Sequence, residues 1–318
     1  GEFVRGAIIL SLLPLYGLDY WVVGVAVTAH YATDTVSKIG VGFLVDRYSS
    51  KLIVSSGLLL AIISLGLMYS IHIPWVVIVA AAMLGLGISP VWIACLAMVK
   101  NEERATQMGF LYTLWLAGLG SGPIVINFFL HVGHAFSFLL LVIILALAFV
   151  ISLRIRRFSG MSVRMIPVRR QVLMLAQKMR KMRILLPGMI LQTLGASMLL
   201  PVLPDFAILE LGLEPSHYSL LLLAGGGFAV LGLIPMGRLS DRFGKRPFLV
   251  GGFCVVGIAL FFLTQSEQML SIFLSAAVLG LSYSAMLPAW NALLSYYVPA
   301  NQEGVGWGLL NTVEGIGV

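Results

Sequence analysis

Apolar segments long enough to cross a membrane recur along almost the whole chain of 318 residues. An α-helix rises 1.5 Å per residue, so about 20 apolar residues cross the ~30 Å hydrocarbon core of a bilayer. Hydrophobic residues make up 59% of the chain and charged residues 10%, whereas a soluble domain carries about 25% charged residues. The sequence therefore predicts an all-α protein that crosses a membrane many times.

Ten complete membrane spans and part of an eleventh are predicted, separated by short polar or proline-containing breaks. Their expected boundaries are 1–14, 20–45, 52–71, 75–99, 106–130, 134–153, 184–204, 217–238, 247–265, 270–297 and 303–318. Residue 1 is not Met and both ends fall in apolar or helix-like sequence, so we expect an excerpt of a longer protein. Cys95 and Cys254 fall inside spans and are expected to be buried thiols that behave as small hydrophobes.

The basic residues lie on alternate connections between the spans. Half of the twenty Lys and Arg residues fall in the segment 154–183, which has no Asp or Glu. The other basic clusters are Arg47/Lys51, Lys100/Arg104 and Arg238/Arg242/Lys245/Arg246. The intervening connections carry Asp19, Asp205, Glu210, Glu214 and Glu267. Cytoplasmic loops of membrane proteins are enriched in Lys and Arg, so we expect the basic loops to be cytoplasmic. This arrangement places the net charge of +7 at a membrane surface, near anionic lipid headgroups, and argues against a nucleic-acid partner.

An internal repeat divides the chain at the basic segment. "GFLVDRYSSK" begins at Gly42 and "GRLSDRFGKR" begins at Gly237, and each copy closes the second span of its half. Two parallel halves that rock around a central site are the plan of a secondary transporter. The expected domains are an N-terminal six-helix half (1–153), a basic cytoplasmic linker (154–183) and an incomplete C-terminal half (184–318).

The duplicated pattern G-x-L-x-D-R-x-G-x-K/R resembles the loop signature of the major facilitator superfamily. The second copy is complete, whereas the first has Ser49 where the family has Gly. The resemblance implies the major facilitator fold, with six plus six spans and a cytoplasmic linker.

The repeated loop is expected to control conformation rather than to bind substrate. Glycine permits close approach of two helices, and a carboxylate can accept hydrogen bonds from a helix N-terminus and from a neighbouring Arg. The candidate gating residues are Gly42, Asp46, Arg47, Gly237, Asp241 and Arg242. An ordinary charged turn is the alternative interpretation.

Longer stretches resemble the lipoteichoic-acid glycolipid flippases of Gram-positive bacteria. They include "EFVRGAIILSLLP", "HYATDTVSKIGVGFL", "LGLGISPVWIACLAMV", "QMGFLYTLWLAGL", "LLPGMILQ…LPVLPDFA" and "LPAWNALLSYYV…WGLLNTVEG". This resemblance implies a transporter that moves a diglucosyl-diacylglycerol anchor lipid from the inner to the outer leaflet, with proton coupling. It also implies a polar N-terminal cavity and an apolar C-terminal pocket for acyl chains. The residues that match the polar cavity are Glu2, Arg5, Asp34, Trp92 and Trp115.

Ionisable residues inside the first two spans are the candidates for proton coupling. His30, Asp34 and Lys38 follow at intervals of four, which places them on one face of a helix. Glu2 and Arg5 form a second ionic pair with a spacing of three. Charged groups are costly in hydrocarbon and usually mark function. Asp34 lies about 18 Å from the cytoplasmic end, near mid-membrane.

Two interpretations of this ionic cluster remain open from the sequence. Asp34 either faces a wet cavity and exchanges protons, or is permanently paired with Lys38 as a structural contact. His30 either relays protons or is a hydrogen-bonded core histidine. Lys38 departs from the neutral polar residue expected in the flippases.

Aromatic residues at mid-depth are candidates for binding the sugar headgroup. Trp21 and Trp75 sit at span ends, where interfacial anchoring explains them. Trp115 lies about ten residues into its span, where its ring could stack on a sugar, and Trp92 follows the mid-span Pro90. Trp290 and Asn291 in "LPAWN" are expected to shape the other side of the cavity, with helix packing as the alternative.

A drug/proton antiporter is the alternative function. The run "GFLYTLWLAGLGSGP" has Gly109, Gly118 and Gly122-Pro123 at the spacing of the superfamily's antiporter motif, although Ile126-Asn127 replaces the closing Gly-Gly. Close helix packing explains the same small residues. An enzyme is not expected, since the sequence has no phosphate-binding loop and no metal-ligand spacing. The expected partners are glycolipid, protons and membrane lipids, and we expect a monomer with no cofactor and no metal.

Overall fold

The computed structural model describes residues 1–15, 18–99, 102–154, 173, 176–177, 180, 182–183, 185–266, 268–299 and 302–317. Most of the predicted linker 154–183 lies outside the described residues, as do Lys100 and Glu267 of the predicted loop clusters.

Every secondary-structure element in this described part is helical. The first helix, α1 (Glu2–Ala7), continues through a π-helical turn (Ile8–Leu12) and a last α-helical turn (Leu13–Leu15). The following helices are α2 (Tyr20–Arg47), α3 (Ser50–Ser70), α4 (Pro74–Ala97), α5 (Arg104–Phe129), α6 (His134–Ser152), α7 (Leu186–Asp205), α8 (Pro215–Phe243), α9 (Lys245–Gln265), α10 (Met269–Leu294) and α11 (Glu303–Gly315). Each predicted span overlaps one of these helices, with end positions that differ by a few residues.

Among the described residues, seven helices are long and apolar enough to cross a membrane, namely α3, α4, α5, α6, α8, α9 and α10. Helix α6 shows the expected two faces. Leu141 and Leu145 are buried, whereas Leu139, Ile143 and Leu147 on the opposite side are about half exposed. A helix that carries apolar side chains on both its buried and its exposed face is suited to pack on protein at one side and on lipid at the other.

The cysteines are less buried than the sequence predicts. Cys95 is half-buried on α4, and Cys254 is exposed on α9. The neighbours of Cys254 on α9, Phe253 and Val255, are also exposed apolar side chains. This stretch of α9 is therefore uncovered by other described helices, which suits an apolar thiol in contact with lipid.

The two copies of the repeat differ at the turn that follows the helix. Gly244 after α8 has a φ of +95°, a conformation that favours glycine. The equivalent residue after α2, Ser49, has a φ of −67° and ψ of 122°. Since this extended conformation is open to any residue, Ser49 replaces the expected glycine without backbone strain.

The chain forms two compact units, each built from segments that are not consecutive in the sequence. One unit contains residues 1–98, 117–191 and 297–318, and the other contains 99–116 and 192–296. In the first unit α2, α3 and α11 pack around α4, and buried apolar residues such as Ile8, Leu65 and Leu84 form its core. In the second unit α10 packs against both α8 and α9. The division at a basic linker into two halves stays a prediction.

Candidate functional site

Four ionisable side chains from α1 and α2 form one connected network. The Arg5 Nη1 atom lies 3.2 Å from a Glu2 carboxylate oxygen, and its Nη2 atom lies 3.2 Å from Asp34 Oδ1. The Lys38 Nζ atom lies 3.1 Å from Asp34 Oδ2. Asp34 therefore receives one cation from each helix, and Arg5 joins the two carboxylates.

Burial makes this network energetically demanding. Asp34 is 2% exposed and Arg5 is 7% exposed. Two cations and two anions balance in charge, which is the arrangement in which buried ions are tolerated. Adding a proton to Asp34 would remove one negative charge and release both cations from their shared partner. The protonation state of one carboxylate thus controls contacts on two helices.

His30 is placed differently from the other ionisable residues predicted on α2. It is fully buried, and its Nδ1 atom lies 3.2 Å from the carbonyl oxygen of Ala81 on α4. A carbonyl only accepts hydrogen bonds, so Nδ1 carries the proton in this contact. The Nε2 atom is also buried and has no hydrogen-bond partner among the described residues. This contact ties His30 to α4, and its role in proton transfer stays a prediction.

Next to this network, α2 packs so closely against α11 that backbone atoms of the two helices are in contact. A Cβ atom placed on Gly308 would lie 2.2 Å from the carbonyl oxygen of Lys38, so only glycine fits there. One turn further along α11, the Thr312 hydroxyl donates to the carbonyl oxygen of Thr35 at 2.9 Å. Lys38 therefore belongs both to the ion network and to the contact between α2 and α11.

Asp46, near the end of α2, also joins α2 to α11. Its Oδ1 accepts the backbone N–H of Gly304 at 2.7 Å, and its Oδ2 accepts that of Val305 at 2.8 Å. These groups belong to the first turn of α11, where the helix dipole favours a negative charge. Gly42 lies one turn earlier, and a Cβ on it would lie 2.2 Å from the Gly304 carbonyl oxygen. We call this contact the Asp46 latch.

Asp241 makes the corresponding contact in the second unit. Its oxygens accept the backbone N–H groups of Ala105 at 3.1 Å and of Thr106 at 2.8 Å, at the start of α5. The Thr106 hydroxyl and Lys245 Nζ add contacts at 2.9 and 3.2 Å. Gly237 faces the Ala105 carbonyl, to which a Cβ would approach within 2.4 Å. We call this contact the Asp241 latch.

The two arginines of the repeat lie over aromatic rings. The Arg47 guanidinium is 4.6 Å from the centre of the Phe43 ring, and that of Arg242 is 5.4 Å from the centre of the Phe243 ring. Such contacts stabilise a cation near an apolar surface. These rings belong to the arginines' own helices, so the contacts fix the arginines locally beside each latch.

Trp92 is held by a residue that the sequence did not single out. Its Nε1 atom donates to Oδ1 of Asn311 on α11 at 3.0 Å. Asn311 in turn donates to the Trp307 carbonyl at 3.0 Å. No sequence signal marks Asn311, because its equivalence to Tyr112 of α5 follows only from the matching positions of Gly304 and Ala105 in the two latches.

The other predicted headgroup residues belong to the second unit. The Trp115 ring makes an edge contact with Tyr112, with 6.1 Å between ring centres. Trp290 and Asn291 are buried on α10. Asn291 Nδ2 donates to the Leu287 carbonyl, while Asn291 Oδ1 and Trp290 Nε1 have no hydrogen-bond partner among the described residues. Both atoms are buried in this conformation, and a role of Trp290 and Asn291 in the cavity stays a prediction.

The glycines of the possible antiporter motif divide between two partner helices. A Cβ on Gly122 would lie 2.2 Å from the Phe3 carbonyl oxygen of α1, and Gly118 also faces α1. Gly109 instead faces α8, at 2.4 Å from the Leu233 carbonyl oxygen. Close helix packing therefore accounts for all three glycines.

No group of three His, Cys, Asp or Glu side chains that could hold a metal ion occurs in the part of the chain that the structure describes.

Known flippases and one solved transporter structure are similar to this chain. The proton-coupled antiporter flippase LtaA of Staphylococcus saprophyticus is 30% identical, with 99% of this chain and 81% of the relative aligned. LtaA of Staphylococcus aureus strain N315 is 28% identical over 99% and 82%. The structure of the human organic anion transporter MFSD10 (TETRAN) shares the fold, with a TM-score of 0.76, 12% identity, and coverage of 93% of this chain and 76% of that chain. The profile of the Major Facilitator Superfamily matches residues 3–318. This chain is therefore a multi-pass membrane protein that belongs to the major facilitator superfamily, a family of transporters and not of enzymes.

Proposed function

We propose that this protein is a proton-coupled transporter that flips a diglucosyl-diacylglycerol anchor lipid from the inner to the outer leaflet, for lipoteichoic acid synthesis. The observation that carries the proposal is the buried network in which Arg5 and Lys38 share Asp34. Similarity to the LtaA flippases at about 30% identity supports the same choice of substrate and of coupling ion.

Proton coupling is supported by the position of the network beside a helix contact that can open. Asp34 binds Lys38, and the Lys38 backbone lies under Gly308 of α11. The Asp46 latch joins the same two helices two turns further along. A proton on Asp34 would free Lys38 and change the electrostatics of the α2–α11 contact. Uptake and release of that proton can therefore bias whether α2 and α11 stay together.

The choice of a glycolipid is supported by the distribution of ionisable groups. Spans one and two contain Glu2, Arg5, His30, Asp34 and Lys38, whereas the Asp, Glu, His, Lys and Arg residues of α8 to α10 lie only near the helix ends. Glu314 of α11 is the exception in the C-terminal part of the chain. A disaccharide needs polar partners to cross a membrane, while two acyl chains can remain in an apolar environment. Trp92 and Trp115 each carry a ring face and an indole N–H group of the kind that binds a sugar.

Flipping in proteoliposomes tests the role of Asp34. Asp34→Asn keeps the side-chain volume but removes the negative charge, and we expect glycolipid flipping driven by a pH gradient to fall at least about tenfold, since the proton-binding group is lost. The matched control is Asp19→Asn, which removes an exposed carboxylate just before α2 and should leave flipping unchanged. Flipping at the original rate in Asp34→Asn, or a wild-type rate that ignores the pH gradient, would contradict proton coupling.

The headgroup site is tested with Trp115. Replacement by Ala removes a ring that can stack on a sugar and should weaken binding of the free disaccharide by roughly 1 kcal/mol. Trp75→Ala is the control, because Trp75 is 68% exposed at the start of α4 and fits an interfacial position. Equal affinity in the Trp115→Ala and wild-type proteins would exclude Trp115 from the headgroup site.

The drug-antiporter alternative is separated from the flippase by equilibrium binding. We expect the purified protein to bind diglucosyl-diacylglycerol and its free headgroup more tightly than the lipophilic cation ethidium. Tight ethidium binding without detectable glycolipid binding would support the drug antiporter instead.

A further inference from the structure

The hydrogen bond between Trp92 and Asn311 fixes both side chains in one orientation. An indole nitrogen can only donate and a backbone carbonyl can only accept. The Asn311 side chain lies between one donor, Trp92 Nε1, and one acceptor, the Trp307 carbonyl oxygen. Its amide oxygen must therefore face Trp92 and its amide nitrogen must face α11. Asn311 is only 6% exposed, whereas Trp92 is half-buried, so the bond between them is partly shielded from solvent.

This bond forms a second layer of contact behind the Asp46 latch. Trp92 is five residues before the end of α4, or about 8 Å along its axis, and Asn311 is eight residues into α11, or about 12 Å. Trp92 packs beside a small apolar cluster that includes Val41, Val45 and Ile93. The Trp92–Asn311 bond joins α11 to α4, and it lies further along α11 than the Asp46 latch, which joins α11 to α2.

We propose that Asn311 is a positioning residue that occupies the indole N–H of Trp92 until a sugar hydroxyl replaces it. The proposal rests on the proposed function, in which Trp92 contacts the headgroup. An indole nitrogen has a single proton, so Trp92 cannot bond Asn311 and a sugar hydroxyl at full strength together. Separation of α11 from α4 breaks the bond and exposes one donor on α4 and an amide on α11.

Such an exchange links recognition of the headgroup to the separation of α11 from α4. Breaking the bond removes the acceptor from Trp92 Nε1 and the donor from Asn311 Oδ1, which is unfavourable in a partly buried site. A disaccharide carries many hydroxyl groups that can replace the lost partners. A lipophilic cation or a diacylglycerol without sugar has no such set of donors and acceptors. The bond to Asn311 therefore makes separation of α11 from α4 easier when the ligand carries hydroxyl groups than when it does not.

Binding of the free disaccharide to the full chain tests this exchange. Asn311→Leu removes the competing acceptor at similar volume, and we expect tighter binding by about two- to tenfold, the range that one net hydrogen bond gives. Trp92→Phe removes the N–H and should weaken binding by a similar factor. The double variant should bind like Trp92→Phe alone, since Asn311 acts through Trp92. Weaker or unchanged binding in Asn311→Leu would overturn the proposal.

A second measurement reads the packing of α4 around Trp92 without any glycolipid. Cys95 is half-buried and lies three residues after Trp92 on the same helix face. With Cys254 replaced by Ser, alkylation of Cys95 by a membrane-impermeant maleimide should accelerate about two- to tenfold in both Asn311→Leu and Trp92→Phe. Unchanged alkylation in both variants would overturn the proposal. If the wild-type protein binds no disaccharide, the glycolipid function fails, and this alkylation still decides whether the bond holds the contact.

Asn311→Ser provides a second route if Asn311→Leu does not fold. Serine is small and polar but too short to reach the indole nitrogen from the same backbone position. It should reproduce faster alkylation and tighter disaccharide binding. If a folded Asn311→Ser protein showed the wild-type alkylation rate and the wild-type affinity for the disaccharide, the Asn311 amide would not hold the indole N–H of Trp92.

Discussion

The Asp46 carboxylate and the backbone nitrogen of Gly304 lie 2.7 Å apart although 258 residues separate them in the chain. Asp241 repeats this contact with the nitrogen of Ala105 at 3.1 Å. In both cases a glycine four residues before the aspartate faces the carbonyl oxygen of the same partner residue. The duplicated sequence thus produces one contact twice, first between α2 and α11 and again between α8 and α5.

The two latches differ by one side chain at an equivalent position. The Asp241 latch includes the hydroxyl of Thr106, whereas the Asp46 latch has Val305 at that position. Val305→Thr should add a third hydrogen bond to Asp46, worth about 1 kcal/mol. We expect the α2–α11 contact to open less often and flipping to slow several-fold, measured in proteoliposomes together with thermal stability in detergent.

The reverse substitution, Thr106→Val, is the matched control for this prediction. It should lower thermal stability by loosening the contact between α5 and α8, because Asp241 loses one donor. If Val305→Thr left both stability and the flipping rate unchanged, the Asp46 latch would not control opening.

Gly308 tests how close α2 and α11 must be. A Cβ at this position would lie 2.2 Å from the Lys38 carbonyl oxygen, and backbone atoms cannot move aside easily. We expect Gly308→Ala to destabilise the protein by about 1–3 kcal/mol through overpacking and to reduce transport. Gly24→Ala is the control, since nothing lies within 4 Å of a Cβ there and alanine favours a helix. A melting temperature equal to that of the wild type in Gly308→Ala would contradict the close contact.

The sequence predicts the helices and the local ionic spacing because both follow from short-range patterns. Apolar runs give the spans, and the spacing of four places Asp34 beside Lys38, as the structure shows. The partner residues of the latches could not be assigned, because they lie on helices far along the chain. A carboxylate after a repeated glycine indicates that a helix N-terminus is near, but not that it belongs to α11 or to α5.

Asn311 and the link between Arg5 and Asp34 show the same limit. Arg5 pairs locally with Glu2, and only the packing of α1 on α2 brings its second nitrogen to Asp34. A single Asn in α11 has no periodic partner that would mark it. His30 has the spacing of the ionic residues, yet its hydrogen bond goes to α4, because a residue on a helix face can meet more than one neighbouring helix.

Arg5 should not be replaceable by Lys. Arg5 uses two different terminal nitrogens to reach Glu2 and Asp34, and an ammonium group lacks this planar fork. Arg5→Lys should either leave Glu2 without a cation or leave Asp34 with Lys38 alone, and the lost charged hydrogen bond should lower the free energy of unfolding by about 1.5–3 kcal/mol. Chemical denaturation in detergent measures the loss. Arg154→Lys, at an exposed position after α6, should have no effect, and equal stability of the Arg5→Lys and wild-type proteins would contradict the bridging role.

His30 can be assigned to packing or to proton transfer by two substitutions. The amide nitrogen of Asn can take the place of Nδ1, so His30→Asn should keep the hydrogen bond to Ala81 and retain flipping with an unchanged dependence on pH. His30→Gln places its amide further out and should lose about 1 kcal/mol of stability with the bond. Flipping rates over a series of pH gradients, with melting temperatures for both variants, give the answer. Loss of proton-driven flipping in a folded His30→Asn protein would show that the imidazole itself carries protons, because an amide can hold the α2–α4 contact but cannot exchange a proton near neutral pH.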